Sequence, residues 1–100
     1  MDLTETQQLY LLEKLLGVQV SHSTKSAISA LIIKDEPLTT RKLNAILNKS
    51  YTYGDYLKTF ELPIDRGVVE IVEVRYEGIK RKAFKLNIDK AKEYISNNLE

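Results

Sequence analysis

The chain has 100 residues, 43% of them hydrophobic and 29% charged, which is the balance of one globular domain and too little chain for two independent cores. Fifteen basic residues against fourteen acidic ones leave a formal charge of +1, so the overall charge does not point to a polyanionic partner. With no cysteine and a single histidine, His22, disulfides, thiolate metal sites and multi-histidine metal sites are excluded.

The N-terminal Met1-Asp2-Leu3-Thr4-Glu5 lacks a basic stretch followed by an apolar one, and no apolar run approaches the roughly 20 residues that span a bilayer. Cytoplasmic residence without membrane contact is therefore expected. Thr4-Glu5-Thr6-Gln7 has the form of a capping box and predicts a helix over 5–16. Leu9, Leu12 and Leu16 recur on one face of it, Leu11 and Leu15 widen that face, and Gly17 is the stop. Ser21 or Ser23 caps a second helix over 23–34, where Ala27, Ile28, Leu31 and Ile32 form an apolar stripe ended by Asp35-Glu36-Pro37.

After Leu38, Thr39 or Thr40 caps a short helix over 40–48 with Leu43, Ala45, Ile46 and Leu47. Thr52 is followed three residues on by Asp55, a second capping-box spacing, and Tyr53, Tyr56, Leu57 and Phe60 repeat at helical intervals. This predicts a helix over 53–62, stopped by Pro63. From Val68 the residues become β-branched and aromatic, and the chain reads as a hairpin turning at Glu77-Gly78 and returning through Ile79 to Leu86. Alternation in the first strand is imperfect: Val69 and Ile71 fall on one face, Val72, Val74 and Tyr76 on the other. Either a bulge or an early stretch covered on both faces explains this. Asn87 caps a last helix over 88–99 with Ile88, Ala91, Ile95 and Leu99 on one face. The fold class is α+β, with a single domain over 1–100.

Charge is local. Residues 75–85 hold Arg75, Lys80, Arg81, Lys82 and Lys85 against Glu77 alone, so the remainder is mildly acidic. Consecutive strand residues point to opposite faces, so at least one of Lys80, Arg81 and Lys82 faces outward in any register. These cations either meet nucleic-acid phosphate or keep an edge strand from pairing with other sheets. Thr39, Thr40, Arg41 and Lys42 stand at a helix start, where free N–H groups suit a phosphate; simple capping is the alternative. His22, between Ser21 and Ser23, has no acid–base partner in a recognisable motif, and there is no Gly-rich phosphate loop, metal-ligand spacing or nucleophile elbow. A non-enzyme without cofactor or metal is expected.

Over 23–86, three helices and a hairpin, with Pro37-Leu38-Thr39-Thr40 opening one helix, Leu43 to Leu47 as its core face, Tyr56-Leu57 in the next and Pro63-Ile64-Asp65-Arg66-Gly67 leading into Val68-Val69-Glu70-Ile71, resemble the winged helix-turn-helix superfamily of small transcriptional regulators. In size and flanking helices the chain is similar to small regulators of archaea and their viruses. The resemblance implies that helix 53–62 lies in the major groove and the hairpin, or wing, reaches the backbone or minor groove. On that model Tyr56, Leu57 and Phe60 face the core. Tyr53, Gly54, Lys58 and Thr59 face DNA, with Gly54 permitting close approach and Thr59 meeting phosphate or a thymine methyl.

The function so implied is sequence-specific duplex-DNA binding by a transcriptional regulator. The alternative is a protein–protein interaction module in a replication or transcription assembly, suggested by Asp55 and Glu61 against Lys58 alone on the recognition helix. The terminal helices, through Leu9, Leu12, Leu16, Ile88, Ala91, Ile95 and Leu99, either form a homodimer that sets two recognition helices about 34 Å apart or close over their own domain.

Overall fold

A hydroxyl opens the first helix. Ser21 Oγ accepts the Thr24 backbone N–H at 3.2 Å and starts α1 (His22–Lys34), so of the two candidate caps Ser21 is the one used. The structure is a computed structural model that describes residues 21–98, with side chains described as far as Glu93. The helix expected at 5–16, with Leu9, Leu12 and Leu16, and residue Leu99 therefore lie outside the described residues. Ala27, Ile28, Ala30 and Leu31 are the buried apolar residues of α1, which ends at Asp35 in the left-handed region.

β1 (Leu38–Thr39) follows, and Thr39 then caps α2 (Thr40–Leu47), accepting the Lys42 N–H at 3.3 Å. Asn48, left-handed at φ 54°, ends α2. Thr52 and Asp55 form the expected reciprocal box, Asp55 N–H to Thr52 Oγ1 at 3.1 Å and Thr52 N–H to Asp55 Oδ2 at 2.9 Å, and open α3 (Tyr53–Thr59).

Between α2 and α3 a single side chain sets the turn. Asn44 Nδ2 donates to the Tyr51 carbonyl at 2.8 Å, while Asn44 Oδ1 accepts both the Tyr51 N–H at 3.1 Å and the Tyr56 hydroxyl at 2.7 Å. Burial, and to a lesser degree the neighbouring Tyr51, pushes the Tyr56 phenol above its ordinary value, which keeps it the protonated donor this bond needs.

The helix expected over 53–62 ends at Thr59, and Pro63 does not stop it but lies inside a separate short helix, α4 (Glu61–Asp65). The reason combines a local residue with a distant one. Proline has no N–H to give to the carbonyl four residues back, Thr59 O, and it is tolerated only in a first turn, where that donor is not required. Pro63 is the third residue of α4, and the orphaned Thr59 carbonyl is taken by Thr24 Oγ1 of α1 at 2.7 Å.

β2 (Val69–Tyr76) and β3 (Ile79–Leu86) pair without a break from Val69↔Leu86 to Tyr76↔Ile79, so there is no bulge. Val68 and Val69 are both buried, so the chain is covered on both sides where the strand begins, while further on Ile71 is exposed and Val72 half-buried. Glu77 and Gly78, at φ 52° and 79°, make the two-residue turn, whose double positive φ matches the twist of the strands. β1 has no counterpart in the sequence reading: it is two residues long, pairs Leu38↔Phe84 and Thr39↔Ala83, and completes an antiparallel sheet in the order β1-β3-β2.

The core centres on Phe84, whose ring lies 5.5, 6.1 and 4.9 Å from those of Tyr53, Tyr56 and Phe60. Ile28, Leu31, Leu38, Leu43, Val68, Val69 and Leu86 close around it. α5 (Ile88–Asn98) starts with the expected cap, Asn87 Oδ1 accepting the Lys90 N–H at 3.0 Å. Ala91, expected on a dimer face, is instead buried in the domain's own core, since the helix packs that side inward; Ile88 is exposed. The described residues thus form an α+β fold of five helices and one small sheet, compatible with a winged-helix-like arrangement. None of these helices is long and apolar enough to cross a membrane.

Asn44→Ala removes three hydrogen bonds and strands both backbone groups of Tyr51, so it should cost about 2–4 kcal/mol, against about 1 kcal/mol for Tyr56→Phe, which removes one. Urea unfolding measures both. Equal losses would show that the bonds to Tyr51 carry no weight.

Candidate nucleic-acid interface

β1 stops at Thr39, opposite Ala83, because the chain there turns into α2. Beyond that point no strand of the described residues lies beside β3 on the β1 side, and the hairpin stands away from the first turn of α2. The space between them is an open groove of about 1120 Å³. One wall is formed by Glu36, Pro37, Thr39, Thr40, Arg41, Lys42, Ala45 and Tyr53, the other by Val74, Arg75, Tyr76, Glu77, Lys80, Arg81 and Lys82.

Nine of the expected DNA-contacting residues, Thr39, Thr40, Arg41, Lys42, Tyr53, Arg75, Lys80, Arg81 and Lys82, come together here from three separate stretches of chain. The lining holds six basic side chains against two acidic ones. Gly54, Lys58 and Thr59 stand on α3 and do not line it. Sequence reasoning missed Glu36, Pro37, Ala45, Val74, Tyr76 and Glu77 as lining residues, since nothing in their local pattern reveals which wall faces which.

The hairpin register orders its charges. Glu70↔Lys85 and Glu73↔Lys82 set opposite charges across the strands, whereas the rung Arg75↔Lys80 sets two cations face to face. Directly opposed like charges destabilise a ladder. Among the described residues Arg75, Lys80 and Arg81 have no ion-pair partner, and an anion bound in the groove would relieve their repulsion. Lys42 reaches Glu36 at 3.8 Å with both side chains about half exposed, a contact too solvated to hold either strongly.

Tyr53 is a fixed part of the groove's lining rather than a free probe. Its ring is half-buried, stacked on Phe84 at 29° between planes, and Lys82 Nζ lies 5.6 Å from its centroid. Thr39 is committed as a cap. On α3, Gly54 is exposed, and a Cβ there would meet only Thr52 Oγ1, at 3.7 Å, so the fold itself does not require glycine at this position. Lys58 is exposed; Thr59 is half-buried and its hydroxyl donates to the Asp55 carbonyl at 3.0 Å. No group of acidic or histidine side chains suited to a metal ion occurs among the described residues.

The backbone N–H of Thr52, and then its side chain, hold the Asp55 carboxyl below its ordinary value of 3.8, helped by Lys58 against a small desolvation. A carboxyl whose folded pKa lies below its unfolded one stabilises the fold above the unfolded value, and that stabilisation is lost as pH falls through the folded one. Asp55→Asn should therefore be less stable than the parent near pH 6, with the difference shrinking towards about pH 3. Denaturant midpoints at the two pH values check this, and a constant difference would rule out the cap as the source.

Against known protein families, characterised proteins and solved structures, the chain finds no match.

Proposed function

We propose that this chain is a winged-helix protein that binds duplex DNA sequence-specifically as a transcriptional regulator, with α3 as the recognition helix and the β2–β3 hairpin as the wing. The observation that carries the reading is the cationic groove, above all the rung Arg75↔Lys80, where two cations without an ion-pair partner among the described residues face each other in a molecule of net charge +1. Two helices joined by the turn at Asn44 and Tyr51, followed by a hairpin, support it as the arrangement in which one helix enters the major groove while the hairpin follows the backbone. α3 has seven residues and is about 10 Å long, which fits a groove about 12 Å wide. Asp55 is used by its capping box, which accounts for an acid on this helix without invoking a protein partner. Such a regulator needs neither cofactor nor catalytic group, and it acts in the cytoplasm.

Lys80→Ala with Arg81→Ala tests the wing while leaving Lys82 on the Tyr53 ring. The pair should weaken specific and random duplexes by similar factors and lower the salt slope by about one to two units, because phosphate contacts release counterions whatever the sequence. Stability should change by less than about 1 kcal/mol. Lys58→Ala should instead reduce the preference for a selected site over random duplex. Anisotropy titrations at two salt concentrations read both. Unaltered affinity and slope in a folded wing variant would make the basic hairpin a solvated edge and nothing more.

The regulator acts as a homodimer, to whose contact α5 contributes the exposed Ile88. Two-fold symmetry would place the recognition helices about 34 Å apart on a palindromic site. Light scattering with and without DNA checks it, a monomeric mass in both being the contrary result.

A further inference from the structure

The far end of the hairpin is apolar. Tyr76 and Ile79 are 53% and 55% exposed, are direct cross-strand partners, and form the last rung before the Glu77-Gly78 turn. Neither belongs to the core cluster or to the partly buried residues packed against it. As a cross-strand pair they stabilise the ribbon modestly, yet both leave more than half of their surface to water at the extremity, where it is open to a partner.

The surroundings indicate the partner. Arg75 and Lys80 occupy the next rung on the opposite face of the ribbon, and Arg81 lies one rung further along the same face as the apolar pair, so the tip is flanked by three cations against Glu77. An apolar point flanked by cations is complementary to a groove with phosphate walls and an interior of stacked bases. The minor groove of straight B-form DNA is about 6 Å wide, and two strands about 4.8 Å apart do not enter it with their side chains unless it opens. Apolar side chains inserted at a base step open it by unstacking the step and kinking the duplex by about 20–90° towards the major groove.

We propose that the Tyr76–Ile79 tip is a wedge that enters the minor groove at one base step and bends the bound duplex, an inference that rests on the DNA-binding reading. The cations on the ribbon hold the flanking phosphates while the tip does the unstacking. Sequence preference then arises at a step the wing deforms, and flexible pyrimidine–purine steps are favoured there.

Energy transfer across an end-labelled duplex of about 30 base pairs, carrying a selected site, reads the bend and the affinity together. The parent should shorten the end-to-end distance by the equivalent of at least about 20° and bind a duplex with one mismatched pair at the wing position on the order of tenfold more tightly than the matched one, since a mismatch is already partly unstacked. Tyr76→Ser with Ile79→Ser should stay folded, keep the salt slope, leave the duplex straight and lose the mismatch preference. Tyr76→Phe with Ile79→Leu should behave as the parent does. Salt-sensitive binding by the parent to a duplex that stays straight, or bending undiminished in the serine variant, would overturn the wedge and leave the DNA-binding reading standing. Absence of any duplex binding by the parent would overturn both.

Discussion

The amide of Asn44 acts as a peptide group supplied by a side chain. It gives Tyr51 the donor and acceptor that a neighbouring strand would provide, and it does so from the middle of α2, so the chain after that helix leaves in one direction only. The same oxygen takes the Tyr56 hydroxyl, which fixes the rotation of α3 about its axis. Once that rotation is set, Tyr53, Tyr56 and Phe60 all reach Phe84, and the sheet docks where the rings require it. The hairpin's position relative to α2, and with it the shape of the groove, follows from this chain of contacts. A neutral amide does this without the desolvation cost of an ion pair, and in the described residues no buried side-chain polar atom lacks a partner.

Net charge is a poor guide to this surface. Asp55 is taken up by a helix start, Glu70 and Glu73 stand opposite Lys85 and Lys82 in the ribbon register, and Glu36 lies 3.8 Å from Lys42 in a solvated contact. The cations of the distal ribbon are left over. A field set up by a few uncompensated groups along one groove is felt over about 8–10 Å at ordinary ionic strength, so it acts on a ligand in the groove and hardly at all elsewhere.

Features that depend on residues within one turn of each other were legible in the sequence. The Thr52–Asp55 box, the Thr39 cap and the Glu77-Gly78 turn are contained in three- or four-residue windows whose chemistry allows few alternatives. What was not legible depends on distant partners. β1 is two residues long and exists only because β3 lies beside it. The break after Thr59 depends on a hydroxyl 35 residues earlier, and whether the apolar side of α5 carrying Ala91 faces its own domain or another copy is not written in the helical stripe itself. The basic residues of the candidate site were identifiable one by one, since charge is plain in a sequence. That they share one groove was not, because α2 and the hairpin meet only through the sheet.

The bond between Thr24 and the Thr59 carbonyl ties Thr24 to Pro63, four residues beyond that carbonyl. It is needed because Pro63 withholds a donor, and Pro63 is tolerable because Thr24 supplies one. Neither residue is easily replaced alone: losing the hydroxyl leaves a carbonyl without a partner, and losing the proline restores an N–H that competes with the Thr24 hydroxyl for that same carbonyl. Among descendants of this sequence the two positions should drift as a pair. Lineages that abandon both gain the freedom to run α3 and α4 together as one longer helix, and so to evolve a recognition element of a different length from the same core.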